Sequence, residues 1–363
     1  MEGLCGKRGV YFKSAGSGYT RCYTRAPDMQ CTLYIPHLIP PREIGDALWR
    51  TVDAPQLKTL LARAAFNSQD AIGADAVLCR SFGIAQQQDW PLAPLLARSA
   101  KLAADGGYWL CATPSHLQTR RNALVLANTT SLAVTSNESA TLAHMLADHL
   151  KAEGVTLHAP DPAQWFLQCD KPPAITTTSL DIATDRDVRP FLPMGAESAR
   201  WHRILTEIQM LLHNHAVNDA REAHGQLPVN NVWLWGGGTL PASVAAAFDS
   251  VWSVNACVRA LAQHTHCGVQ SQTARFTPQT LNPESHFFSL ELLTAPIRMG
   301  DAQSWSTAVT ALNRDWFNPL LEALKSRQLA RLTLLSNNDT GAQEFVIQPG
   351  DLLKFWHKNK YLQ

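Results

Sequence analysis

The sequence predicts an α/β protein, a doubly wound, mainly parallel sheet with helices on both faces. Two observations carry that expectation. Short, continuously apolar runs have the length of strands buried on both faces. They alternate with amphipathic stretches at helical spacing, which supplies the covering helices. A proline- and threonine-rich connection runs from Lys171 to Pro193.

Residues 1–29 contain basic and small residues without an apolar core, and they read as an unstructured leader ahead of the fold, with Met29 as an alternative start. Leu33–Pro41 reads as a buried strand stopped by prolines. Helices are expected at Glu43–Arg50, at Pro55–Ala65 (with Leu57, Leu60 and Leu61 on one side) and at Pro91–Ala104. Tyr108–Ala112 and Ala123–Ala127 have strand length. Glu138–Glu153 is amphipathic, with Ser136 or Asn137 as cap and Gly154 as stop. Val155–His158 and Trp165–Gln168 are strand-like, and a long helix is expected from Glu197 to His224. Asn231–Trp235 reads as a strand ending in Gly236-Gly-Gly238, and His286–Leu293 as another. Asp301–Lys325 is a helix that Pro319 should kink, and Leu332–Leu335 and Phe345–Ile347 close the sheet.

Composition narrows the functional classes. With 31 Lys+Arg against 30 Asp+Glu the formal charge is +1, which leaves no broad basic field for a nucleic-acid backbone. No apolar run reaches membrane-spanning length. Eight scattered cysteines without a C-x-x-C pair suit a reducing, cytoplasmic setting. His264-Thr-His266-Cys267 brings three potential ligands together, but neighbouring residues at a helix end point apart, so core or surface packing is the better reading. His213 and His215 end a helix and make no nuclease hairpin. No nucleotide-binding glycine fingerprint, Walker loop or G-x-S-x-G elbow occurs.

The most informative stretch is His215 to Gly238. Asn218 and Arg221, three apart on a helix, can face one side, and the guanidinium fork suits phosphate or carboxylate. Asn230 approaches from the following strand, and Gly236 and Gly238 could offer backbone N–H groups to an anion at that strand's end. His116 and Arg120, after a buried strand, could add a base and a cation to the same cleft, with a solvated loop as the alternative. From composition alone, a helix cap followed by a core strand and tight turn is the better reading of the central stretch.

The matched residues His215, Val217, Asn218, Arg221, Gly225, Pro228, Asn230, Trp233, Leu234, Trp235, Gly236 and Gly238 resemble a long motif of archaeal-type cofactor-independent phosphoglycerate mutases, in the alkaline phosphatase superfamily, with Ala216 in place of a proline. The chain is also similar to a bacterial group called E-type regulators of pathogenicity factors. The resemblance implies an alkaline-phosphatase-like core at 30–136 and 227–363 and an inserted α+β substrate-type domain at 137–226, in which Thr176–Asp181 matches a segment. It also implies two metals held by strand-end carboxylates and histidines, with a serine nucleophile. This sequence departs from that pattern: the first strand runs into Ile35–Pro41 without a carboxylate, and Ser336-Asn-Asn-Asp339 replaces an Asp-His pair. His37 or Asp339 could be a relic ligand. The expectation is therefore a chain without metal or cofactor, binding a small phosphorylated or carboxylated metabolite through Asn218, Arg221, Asn230 and the glycine turn.

Overall fold

In the computed structural model, the described residues are 4–6, 9–13, 19–22, 29–40, 48–49, 52–70, 73–120, 122–282, 284–338 and 340–354. The helix expected at Glu43–Arg50, and Arg121 and Asp339, fall wholly or mostly outside them. Strands β1 (Leu4–Gly6), β2 (Gly9–Lys13) and β3 (Tyr19–Cys22) pair antiparallel with one another. The segment expected to be an unstructured leader thus carries strands, and the Val10-Tyr11-Phe12 run has the β-branched and aromatic content strands favour.

The chain continues through β4 (Met29–Tyr34), α1 (Pro55–Arg63), β5 (Ala65–Asp70), α2 (Ala74–Ser81) and α3 (Leu92–Ser99). Strand β6 (Tyr108–Ser115) is buried throughout and leads into the hairpin β7 (Leu117–Arg120) and β8 (Ala123–Leu126). Helix α4 (Ser136–Ala152) opens on a capping box in which Thr135 and Glu138 satisfy each other's backbone N–H. Strands β9 (Val155–Asp161) and β10 (Gln164–Cys169), the short α5 (Leu180–Ala183), α6 (Ser198–His213) and α7 (Ala216–Ala223) follow. The single helix expected from Glu197 to His224 is therefore two. The break is at Asn214–His215, where the His215 ring accepts the Val217 N–H at 3.1 Å and restarts the helix as its cap.

Strand β11 (Asn231–Gly238) is followed by β12 (Ser250–Trp252), α8 (Ala256–His264), β13 (Gly268–Gln270), β14 (Ser285–Ser289), α9 (Thr294–Arg298) and α10 (Ala302–Leu312). A π-helical turn, Asn313–Phe317, joins α10 to α11 (Asn318–Lys325). Pro319 lacks the N–H that would bond back into the preceding turn, and the irregularity sits just ahead of it. Strands β15 (Leu329–Asn338) and β16 (Gly341–Ile347) complete the fold.

The seven-stranded sheet has the order β13-β12-β14-β4-β15-β16-β5. Its first five strands are parallel, and β16 and β5 add an antiparallel edge. Its first face, with Cys31, Leu33, Leu332 and Phe345, packs under α1, α10 and α11 through Trp305, Trp316 and Leu320. Its second face, with Tyr34, Val251 and Phe287, packs under α2, α3 and α8. The expected mainly parallel α/β architecture is present.

A second sheet, β11-β6-β10-β9, is antiparallel. It draws β9 and β10 from the expected insertion, but β6 and β11 come from segments assigned by sequence to the core. Its unit therefore extends beyond 137–226 on both sides. Continuous burial made β6 and β11 look like parallel-core strands, yet they are covered by α3 on one face and by α4 and α6 on the other.

Candidate functional site

The Arg221 region is built from inside the protein. The Asn218 side chain donates to Leu212 O at 2.7 Å and Val229 O at 2.8 Å, and accepts the Val229 N–H at 2.8 Å. It staples α7 to the strand that follows. Arg221 is 1% exposed. Its Nε donates to Leu227 O at 2.9 Å, its Nη1 reaches both Glu138 carboxylate oxygens at 3.0 Å, and its Nη2 donates to Leu132 O. Burial works to raise the Glu138 carboxyl, but bonds from Thr135 and Arg221 outweigh it and hold it below the usual range. The fork expected to meet a metabolite is thus spent on a carboxylate and two carbonyls of the same chain.

The other expected partners do not converge on an anion either. Asn230 mimics a ladder residue, accepting the Leu117 N–H at 2.7 Å and donating to Leu117 O at 2.9 Å. His116 is buried, with Nδ1 2.8 Å from Pro228 O. Arg120 is exposed on the hairpin. Asn218, Asn230 and His116 therefore gather around the segment 228–230, while Gly236 and Gly238 stand at the opposite end of β11, roughly 20 Å away at the rise of a strand.

The glycines serve a bulge where β11 shifts register against β6 between Trp235 and Gly238. Gly236 has φ +69°, and a Cβ on Gly238 would stand 2.4 Å from Pro91 Cβ. We expect Gly238→Ala to cost about 2 kcal/mol in urea unfolding, the usual overpacking penalty. An unchanged midpoint would show that α3 yields freely there. The Gly237 N–H does meet an anion, the protein's own Asp89 carboxylate, which also accepts the Thr177 N–H at 3.0 Å.

Chemistry collects elsewhere. The parallel strands β4, β12, β14 and β15 end on one edge, where α/β proteins place ligands. Tyr34 ends β4 and donates its hydroxyl to Asn337 Oδ1 at 2.7 Å. Glu291 lies just past β14 and accepts from Asn255 Nδ2. Burial raises its carboxyl, against the pull of the Asn255 and Ser289 bonds. Asp75, in the first turn of α2, is pushed up to about 7 by burial and then by the neighbouring Asp181 carboxylate. Asp181, on α5, reaches across to accept the Ala74 N–H at 3.2 Å and also accepts the Ser179 hydroxyl at 2.7 Å. Burial raises the Tyr34 hydroxyl, and Asp181, Glu291 and Asp75 raise it further, so all three charges bear on this edge. Arg298 contributes the cation, its Nη2 3.4 Å from Asp181 O.

A carboxyl that titrates near neutrality beside a buried phenol can give or take a proton at physiological pH. The donor set fits a two-metal centre poorly. Among the described residues no three His, Cys, Asp or Glu side chains stand together as a metal-holding group. The strand ends present Tyr34, Asn337 and Asn338, of which Asn338 donates to Ile39 O at 2.9 Å. His37 has φ 58°, and its backbone carbonyl accepts from Trp305 Nε1.

Sequence reasoning missed Asp75, Asp89 and Glu291. The available signal for Glu291 was strand length: the expected strand ran to Leu293, whereas β14 stops at Ser289 and leaves Glu291 at the rim. Asp75 follows Gly73 at a helix start, which alone signals only a favourable charge near the helix N-terminus.

No protein-family model matches the chain, and no curated protein matches it significantly. Among solved structures, the PH0037 protein from Pyrococcus horikoshii is similar in fold, with a TM-score of 0.55 and 12% identity over 89% of this chain and 88% of that one. A cofactor-independent phosphoglycerate mutase from Thermoplasma acidophilum DSM 1728 aligns with a TM-score of 0.47 and 13% identity over 92% and 95% of the two chains.

Proposed function

We propose that this chain is a phosphoglycerate-mutase-like protein, of the alkaline phosphatase type, that lacks two-metal phosphoryl transfer and acts as a cytoplasmic binding or regulatory protein. The observation that carries this reading is the chemistry of the strand ends. Where paired metals would need carboxylates and histidines, Tyr34 and Asn337 bond to each other and Asn338 bonds to a backbone carbonyl. Phenol and amide groups so engaged are weak ligands for hard divalent ions. The edge also carries Asp75, Asp181 and Glu291 against Arg298, a balance that repels a bare phosphate. A small carboxylated or phosphorylated metabolite remains the expected partner, met away from Arg221. The near-neutral charge disfavours nucleic acid; among the described residues no helix is long and apolar enough to cross a membrane, and six unpaired thiols suit a reducing compartment.

Elemental analysis after manganese and zinc loading, together with turnover of 3-phosphoglycerate and an aryl phosphate, tests the reading. The expected result is no stoichiometric metal and no turnover. Two tightly held ions per chain with mutase turnover would overturn it.

One observation favours a second reading, an enzyme of altered chemistry. The Asp75 carboxyl, held near neutrality beside Tyr34, is suited to general acid–base work. Metal-independent phosphatase turnover that disappears in Asp75→Asn would select this alternative.

A further inference from the structure

A cavity of about 380 Å³ opens between α2 and the second face of the seven-stranded sheet, away from the strand edge described above. Its floor is polar: Gln30 and Thr32 from β4, Arg331 and Thr333 from β15, Glu344 from β16 and Asn67 from β5. A sheet covered on both faces ordinarily shows apolar residues on each. That rule holds further along the same face, where Tyr34 and Phe287 are buried against helices. It fails only over the cavity floor.

The charges there are poised for a ligand. Among the described residues, the side chains of Arg331 and Glu344 have no hydrogen-bonding or ionic partner. Arg80, on the α2 wall, is held by Nη1 donating to Gln69 Oε1 and by its guanidinium lying 5.4 Å from the Trp90 ring centroid. Gln69 pairs with Ala342, which lies opposite Asn337, so this guanidinium stands at the Glu344 end of the cavity and away from Arg331. Glu344 pairs with Leu335, so it lies four residues along β15 from Arg331, roughly 13 Å at the strand's rise. A cation and an anion thus address one water-accessible space of ligand size from separated positions.

The geometry points to a binding site for a small zwitterion of the amino-acid class, its carboxylate taken by Arg331 and its ammonium by Glu344. The hydroxyls of Thr32 and Thr333 lie on the floor between these charges. A simple anion would satisfy Arg331 but leave Glu344 facing it. A simple cation would meet the reverse. The inference is independent of whether the strand edge has kept or lost catalysis.

Calorimetric titration of the full chain tests it, using the common α-amino acids, ω-amino acids of increasing chain length, and acetate and inorganic phosphate as plain anions. At least one amino acid should bind at or below millimolar concentration, with plain anions weaker. Arg331→Ala and Glu344→Gln should each weaken that binding roughly tenfold or more, the usual loss for a charge-assisted contact. Arg331 is exposed and Glu344 half-buried, so melting curves of both variants should match the parent and keep the comparison readable. Glu344→Gln should also narrow the gap between amino acids and acetate, because it removes the group that selects the ammonium. No binding by any amino acid at millimolar concentration overturns the proposal. So does equal binding by parent and both variants, or plain anions binding as tightly as amino acids.

Discussion

Arg221→Ala should lower the stability of the folded chain by about 3–5 kcal/mol without removing any ligand affinity. The guanidinium is 1% exposed and bonds Leu227 O, Leu132 O and both oxygens of Glu138. Truncation orphans two carbonyls and leaves Glu138 facing a void, and each orphaned buried group costs its desolvation. Glu138 is 19% exposed at its side chain, so water relieves part of its charge and places the effect at the lower end of the range. Lysine keeps the charge but lacks the fork, and it should recover only a minor fraction. Urea unfolding of Arg221→Ala, Glu138→Ala and the double variant would measure the coupling directly. A loss under about 1 kcal/mol would mean the guanidinium staples nothing.

Arg221 also shows where sequence reasoning stops. An Asn and an Arg on one helix side, followed by a strand and glycines, has the residue types of an anion site. The same types make a structural staple when an acidic partner is supplied from far along the chain. Glu138 is 83 residues from Arg221, and its local role, the N3 residue of the capping box with Thr135, is complete without the arginine. Pair chemistry at that separation leaves no periodic trace. The same limit explains β6 and β11. Complete burial is visible in Tyr108–Ala112 and Asn231–Trp235, but burial does not say which sheet a strand joins. Elements whose signal is local came through: α1 with its leucine stripe, α4 up to its stop at Gly154 (its cap is Thr135, not the expected Ser136 or Asn137), and the irregular turn ahead of Pro319.

The strand-edge carboxylates were illegible for a related reason. Asp75, Asp181 and Glu291 come from a helix start, the inserted segment and a strand exit, and only folding sets their charges against Tyr34. The Asp75–Asp181 pair also sits where the two parts of the molecule meet, because Asp181 holds the Ala74 N–H at the start of α2. Their repulsion therefore acts on that seam as well as on proton affinity.

That arrangement fixes the pH dependence of stability. The folded-state pKa of Asp75 is raised from 3.8 to about 7, so the folded chain holds its proton more tightly than the unfolded chain does. Below the lower value both states are protonated and the group contributes nothing. As pH rises between the two values the unfolded state ionises first, so stability falls, and above about 7 the loss is complete and constant. The groups bearing on Asp75 are Asp181 and Asp89, with Tyr34, Cys79 and Cys257 feeling its charge in turn. None of them is a cation that could offset it. Asp75→Asn keeps an oxygen for the Ala76 N–H, which Asp75 Oδ1 accepts at 2.9 Å, and removes the titration. The variant should match the parent near pH 4 and exceed it at pH 8 by on the order of 2 to 4 kcal/mol. Asp181→Asn should shrink the parent's pH slope without abolishing it, because burial, the larger cause, persists. Urea unfolding at intervals from pH 4 to 8 reads all three slopes. Parallel curves for parent and Asp75→Asn would show that Asp75 ionises normally and that the strand edge holds no poised acid.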